Sequence, residues 1–133
     1  MINLKRIGIL PCSGACNVGM LSTKAVVEIF DELENVDFVC ALGLPLGIEG
    51  IIKNGKSSDG YIALNGCSIK CATKALESAN IPIDEEVVIS EKFNIKKNKN
   101  LKSTEKIDQI LYDLKKMIEK IEKNNSRGFR YEN

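Results

Sequence analysis

Residues 6–20 read RIGILPCSGACNVGM. The first part is an apolar run that stops at Pro11; the second is a turn carrying two cysteines and a glycine. An apolar run without alternation is the pattern of a strand covered on both faces, as in a parallel sheet. Beyond the turn, Val18, Leu21, Ala25, Val26, Ile29, Phe30 and Leu33 recur at helical spacing within residues 17–34, which predicts an amphipathic helix. Strand, cysteine turn, helix is therefore the first unit of the fold.

The same unit returns downstream. VDFVCALGL (36–44) reads as a second strand, and DGYIALNGC (59–67) as a third, with SIKCATKALESAN (68–80) helical behind it. Between them, residues 45–58 are punctuated by Pro and Gly and predict a loop with a short helix through Ile48–Ile52. EEVVISEKF (85–93) is a fourth strand and NIKKNKNLK (94–102) a polar linker. A last helix runs from Ser103 or Thr104 to about Lys123, with Ile107, Ile110, Leu111, Leu114, Met117, Ile118 and Ile121 in one stripe. Alternating strands and helices imply a parallel sheet with right-handed crossovers. The expectation is α/β: a single-domain three-layer αβα sandwich whose four-stranded sheet has the order 2-1-3-4. Residues 1–100 form the α/β domain, 101–124 a helix packed on it, and 125–133 a flexible tail.

Composition sets the outer limits. The chain has 133 residues, 44% of them hydrophobic, no tryptophan and no histidine, with a mean hydropathy of −0.10. One core built from Ile, Leu, Val and Ala follows. No apolar run approaches the roughly 20 residues of a membrane span, and the opening MINLKRIGIL is too short before Pro11 for a signal peptide. A cytoplasmic location is the expectation, with no membrane partner. There, five cysteines, an odd number, point to ligands or reactive thiols rather than disulfides. Net charge is +1, but the C-terminal third is basic; without interleaved aromatics this reads as a solvated lysine face, not a nucleic-acid surface.

In parallel sheets, functional groups gather outside the carboxyl ends of the strands. Cys12 and Cys16 follow strand one, Cys40 lies near the end of strand two, and Cys67 and Cys71 follow strand three, so all five thiols are expected at one rim. If Ser68 opens the third unit's helix, Cys67 caps it and Cys71 lies one turn in, so both sulfurs could reach one ion. Thiolates at a helix N-terminus are stabilised by its dipole. Gly14 and Gly66 would let the chain turn there. Four thiolates suit zinc, and the same soft set suits an iron–sulfur cluster. Cys40 serves equally well as a small buried residue.

Several other chemistries are excluded. A small-phosphatase loop needs an arginine six positions after its cysteine, where this chain has Val18. There is no G-x-x-x-x-G-K-[ST] or G-x-G-x-x-G run and no acidic residue ending strand one. Cysteine–histidine nucleophilic catalysis is impossible without histidine.

PCSGACNVGMLSTKAV, VCALGL and YIALNGCSIKCATKAL, followed by NIKKNK, resemble the successive segments of the DGC-domain family of zinc-binding proteins, named for a short Asp-Gly-Cys motif. The likeness covers about residues 6–99 and leaves the last helix outside. It implies metal ligation by Cys12, Cys40, Cys67 and Cys71, with Ser13, Gly14, Asn17, Asn65 and Gly66 lining the bound group. The motif's aspartate is Asn65 here, whose amide can still bond to a turn. Cys16 is a fifth thiol where serine is common, and it is the candidate reactive thiol.

Three functions fit these residues. One is a small metal-binding protein holding zinc, or a [4Fe–4S] cluster, at the sheet's rim. Another is a sulfur-handling enzyme or persulfide carrier acting on a small sulfur compound. The third is an interaction module that uses the C-terminal stripe to bind a protein partner, with the metal structural.

Overall fold

The computed structural model describes residues 5–125. The element order is β1 (Ile7–Pro11), α1 (Asn17–Glu32), β2 (Val36–Phe38), α2 (Glu49–Gly55), β3 (Gly60–Asn65), α3 (Cys71–Ser78), β4 (Glu85–Val88), α4 (Ile89–Lys92) and α5 (Ile107–Asn125). The four strands form one all-parallel sheet in the order β2-β1-β3-β4, as the sequence predicts.

The central strands β1 and β3 are buried throughout because both of their faces meet helices, while the edge strands β2 and β4 are buried only in part. On one face, Ile7 and Ile9 of β1, Ile62 and Leu64 of β3 and Val87 of β4 pack against Val18, Leu21, Ala25 and Ile29 of α1. The α5 stripe completes that layer: Ile110, Leu114, Ile118 and Ile121 are buried in the same cluster. The opposite face carries Leu10, Tyr61 and Ala63, covered by Ala72, Ala75 and Leu76 of α3 and by Ile51 and Ile52 of α2. Gly8 belongs to this second face; a Cβ there would stand 2.9 Å from the Tyr61 ring.

Pro11 closes central β1 without cost to the ladder. Strand β2 ends at the pair Ile9–Phe38, and the last bond on that side runs from the Val39 N–H to the Ile9 carbonyl at 3.0 Å. The missing N–H of Pro11 therefore has no β2 acceptor to serve.

Five boundaries differ from the sequence reading. Strand β2 is short: after Phe38 the chain leaves the sheet and turns through residues 41–47. Its apolar residues Val39 and Leu44 are buried under α2 and α3 instead. Strand β4 stops at Val88, and residues 89–92 wind into α4 while Ile89 and Phe93 stay in the core. Helix α3 opens at Cys71, not Ser68, because Lys70 takes left-handed backbone angles (φ 60°). Helix α5 opens at Ile107, behind a left-handed Lys106. The short helix of the loop is a residue later and longer than expected, at Glu49–Gly55. No helix among the described residues is long and apolar enough to cross a membrane. Nearly all of the tail expected to be flexible lies outside the described residues.

Candidate functional site

Two turns at the carboxyl rim meet backbone to backbone. A Cβ on Gly66 would lie 2.7 Å from the Gly19 nitrogen and 2.8 Å from the Val18 carbonyl carbon; one on Gly19 would lie 2.8 Å from the Gly14 Cα. Side chains cannot be accommodated at this junction. Gly66 and Gly19 let the β3 turn lie directly on the first turn of α1. Neither Gly14 nor Gly66 takes a left-handed backbone; the left-handed residue of the turn is Ser13, at φ 55°. Glycine serves close approach here, and the strained turn falls to a serine.

Around this junction all five cysteines are free thiols, and each follows the carboxyl end of a strand or opens the helix behind it. Cys12 follows β1 directly, its N–H bonded to the Leu64 carbonyl at 3.1 Å, and the Ser22 hydroxyl lies 3.8 Å from its sulfur. Cys71 is exposed in the first turn of α3. The two line one open cleft of ≈ 520 Å³, walled by Ala41, Leu42, Pro45 and Ala75, with Ser13 and Lys74 at its polar edge. Cys40, exposed, immediately precedes the Ala41 wall. The cleft is lined from the turns after β1, β2 and β3, beside the point where the connections leaving β1 and β3 run to opposite sides of the sheet; this is the switch point at which open α/β sheets bind ligands.

The other two thiols lie on the α1 side. Cys16 is 7% exposed and packed into the core, so the fifth thiol is buried rather than presented. Cys67 is half-buried against the same cluster, and the Lys97 ammonium donates to its sulfur at 3.6 Å. Since Lys70 breaks the helix between them, Cys67 and Cys71 do not share one helical face, which corrects that step of the sequence reading. Among the described residues, no three of Cys, Asp or Glu are gathered closely enough to hold a metal ion. The donor chemistry, soft thiols at one rim, fits a thiophilic metal; Cys12 and Cys71 line one cleft, and Cys67 is not among its lining residues.

Asn65 and Asn17 are both fully buried and fully engaged. Lys70, at the start of α3, offers no side-chain cap. The Asn65 Oδ1 supplies the cap from the sheet, accepting from the N–H groups of Ala72 (2.9 Å) and Thr73 (3.1 Å), while its Nδ2 donates to Thr73 Oγ1 at 2.8 Å. The Thr73 hydroxyl then donates to Glu86 at 2.7 Å, and Lys70 reaches the other Glu86 oxygen at 3.0 Å. The Thr73 hydroxyl first, and Lys70 second, hold the Glu86 carboxyl below its usual range. Asn17 fastens the 94–102 segment: its Nδ2 donates to Lys96 O (2.8 Å), its Oδ1 accepts from Asn98 N–H (2.7 Å), and its own N–H donates to Asn98 O (2.9 Å).

Thr73, Glu86, Gly19, Lys74 and Lys97 are absent from the sequence-derived site. The glycine in NVG and the basic NIKKNK segment were the signals for Gly19 and Lys97. Thr73 and Glu86 had none, because a hydrogen-bonded pair on neighbouring elements leaves no local pattern.

No curated protein and no solved structure matches the chain. The family model of the DGC domain does match it, over residues 8–124. The match runs beyond residue 99 to take in α5, the helix that closes one face of the sheet. With nearly the whole described chain inside it, the protein belongs to the DGC-domain family.

Proposed function

We propose that the chain is a small metal-binding protein that holds one centre through Cys12, Cys40, Cys67 and Cys71. The observation that carries this reading is that Cys12 and Cys71, from two different strand-to-helix turns, share one cleft with Cys40 beside its wall. Three strand ends supply the donors, so ligation would tie the rim together. Zinc is the first assignment, since thiolate sets of four suit it tetrahedrally; a [4Fe–4S] cluster is the alternative. Zinc bound in this way, with all four positions taken by thiolates, would supply a structural tie. Ser13, Gly14, Asn17, Asn65 and Gly66 build the two turns on which the donors stand.

The apolar cleft favours a second reading, a sulfur-handling protein that takes a small sulfur compound or carries a persulfide. Its walls and volume suit a small organic molecule. The interaction-module reading loses its main support, because the α5 stripe it relied on is buried in the core.

Anaerobic purification followed by metal and acid-labile sulfide analysis separates these readings. One zinc per colourless chain supports the first. Labile sulfide with visible absorbance moves the assignment to a cluster and strengthens the second. Protein that takes up neither metal nor cluster under reducing conditions rejects metal binding.

A further inference from the structure

We propose that Lys97 is a positioning residue of the thiol centre, brought to Cys67 by the Asn17 clamp; this rests on the metal-binding reading above. The 94–102 segment reads as a linker, yet it is held by three hydrogen bonds shared with the buried Asn17, which donates to the Lys96 and Asn98 carbonyls and accepts from the Asn98 N–H, on either side of Lys97. That bracket fixes the backbone at Lys97, whose ammonium donates to the Cys67 sulfur at 3.6 Å. Cys67 in turn is set by Gly66, pressed on Gly19 at the start of α1. Asn17 opens α1, so one helix end orients both the thiol and the cation that faces it.

The chemistry gives this arrangement a purpose. Four thiolates around a divalent ion leave a double negative charge in a partly buried place. A hydrogen-bonded ammonium on one sulfur offsets part of that charge and fixes the direction of the sulfur lone pairs. Partners of this outer kind, when removed, typically cost about 10- to 100-fold in metal affinity. Lys97 is exposed, so its side chain adds little to the core, and the contact with Cys67 is the one its ammonium makes among the described residues.

The test is a zinc competition titration of the full reduced chain against a chromophoric chelator. Lys97→Met should lose about 10- to 100-fold in zinc affinity, Lys97→Arg should recover most of it, and Lys99→Met should match wild type. The melting temperature of the metal-free protein should be the same in all. Unchanged zinc affinity in Lys97→Met overturns the proposal, as does an equal loss in Lys99→Met, which would reflect bulk charge, or no recovery with arginine. A wild type that binds no zinc fails the metal reading itself, and this is read before any variant is made. The contact has its own readout in metal-free protein: o-phthalaldehyde joins a neighbouring amine and thiol as a fluorescent isoindole. Its formation at Lys97 and Cys67, located by peptide mapping, is the expected result, and its absence there overturns the proposal.

Discussion

Gly66 lies against Gly19 so closely that a Cβ on the first would be 2.7 Å from the backbone nitrogen of the second. The contact joins the turn after β3 to the first turn of α1, and so joins the two cysteine turns that the chain separates by some fifty residues.

Substitution at this junction should therefore be costly. Gly66→Ala and Gly19→Ala push a methyl group into backbone, which cannot rotate away, and should destabilise by about 1–3 kcal/mol or more. Gly14→Ala is the control: its Cβ would find only Cys12 Sγ at 3.7 Å and Gly19 Cα at 4.0 Å, ordinary contacts. Urea unfolding of the three variants checks this, and equal stability of all three would show that the junction yields.

The cysteines should divide by role. Cys12→Ser and Cys67→Ser are expected to abolish metal retention, since each removes one of four soft donors. Cys16→Ser should keep the metal but lower stability by about 1–3 kcal/mol, the cost of a hydroxyl buried without a partner, because Cys16 is enclosed by the core. Metal content and melting curves on the same samples would show whether these two effects separate.

Glu86 offers a pH test. Its pKa is lowered in the folded chain, first by the Thr73 hydroxyl and then by Lys70. A group depressed on folding contributes stability above its unfolded pKa, and that stability is lost as pH falls through the folded pKa. Asn65→Asp should weaken the effect: an aspartate cannot donate to Thr73 and competes with Glu86 for the single threonine proton. The Glu86 carboxyl, followed by NMR, should then titrate at higher pH than in wild type. An unchanged titration would mean that Lys70 alone sets it.

Metal removal should leave the fold standing. The central strands β1 and β3 are buried on both faces and the core draws on both helix layers, so burial rather than ligation holds the sheet. Hydrogen exchange of the metal-free protein should show protected strands and faster exchange at residues 39–48 and 67–71, where donors released from an ion repel one another. Global loss of protection would assign the stability to the metal.

The strands and their common rim were legible in the sequence because both rest on local patterns, and the expected order 2-1-3-4 is the one found. A parallel strand buried on both faces must be an unbroken apolar run, as in RIGIL and YIAL, and short turns then put Cys12 and Cys67 at the same end of the sheet. The α5 stripe was equally plain, since one buried helix face repeats every three to four residues.

What failed were element ends and side-chain partners. VDFVCALGL is apolar throughout, so nothing local says that β2 stops at Phe38; the partner ladder ends there, and Val39 and Leu44 find burial under α2 and α3 instead. SIKCATKAL reads as one helix, but Asn65 on the sheet caps it from Ala72 and Thr73 while Lys70 turns left-handed, so Cys67 and Cys71 part. Lys97 meets Cys67 through an asparagine eighty residues earlier. The sequence by itself determined the class of fold and the end at which the thiols stand, because apolar periodicity and strand-to-helix turns are local properties. Which thiols share a cleft, which is enclosed in the core and which faces a lysine were decided by tertiary structure alone, because each depends on a contact between residues far apart in the chain.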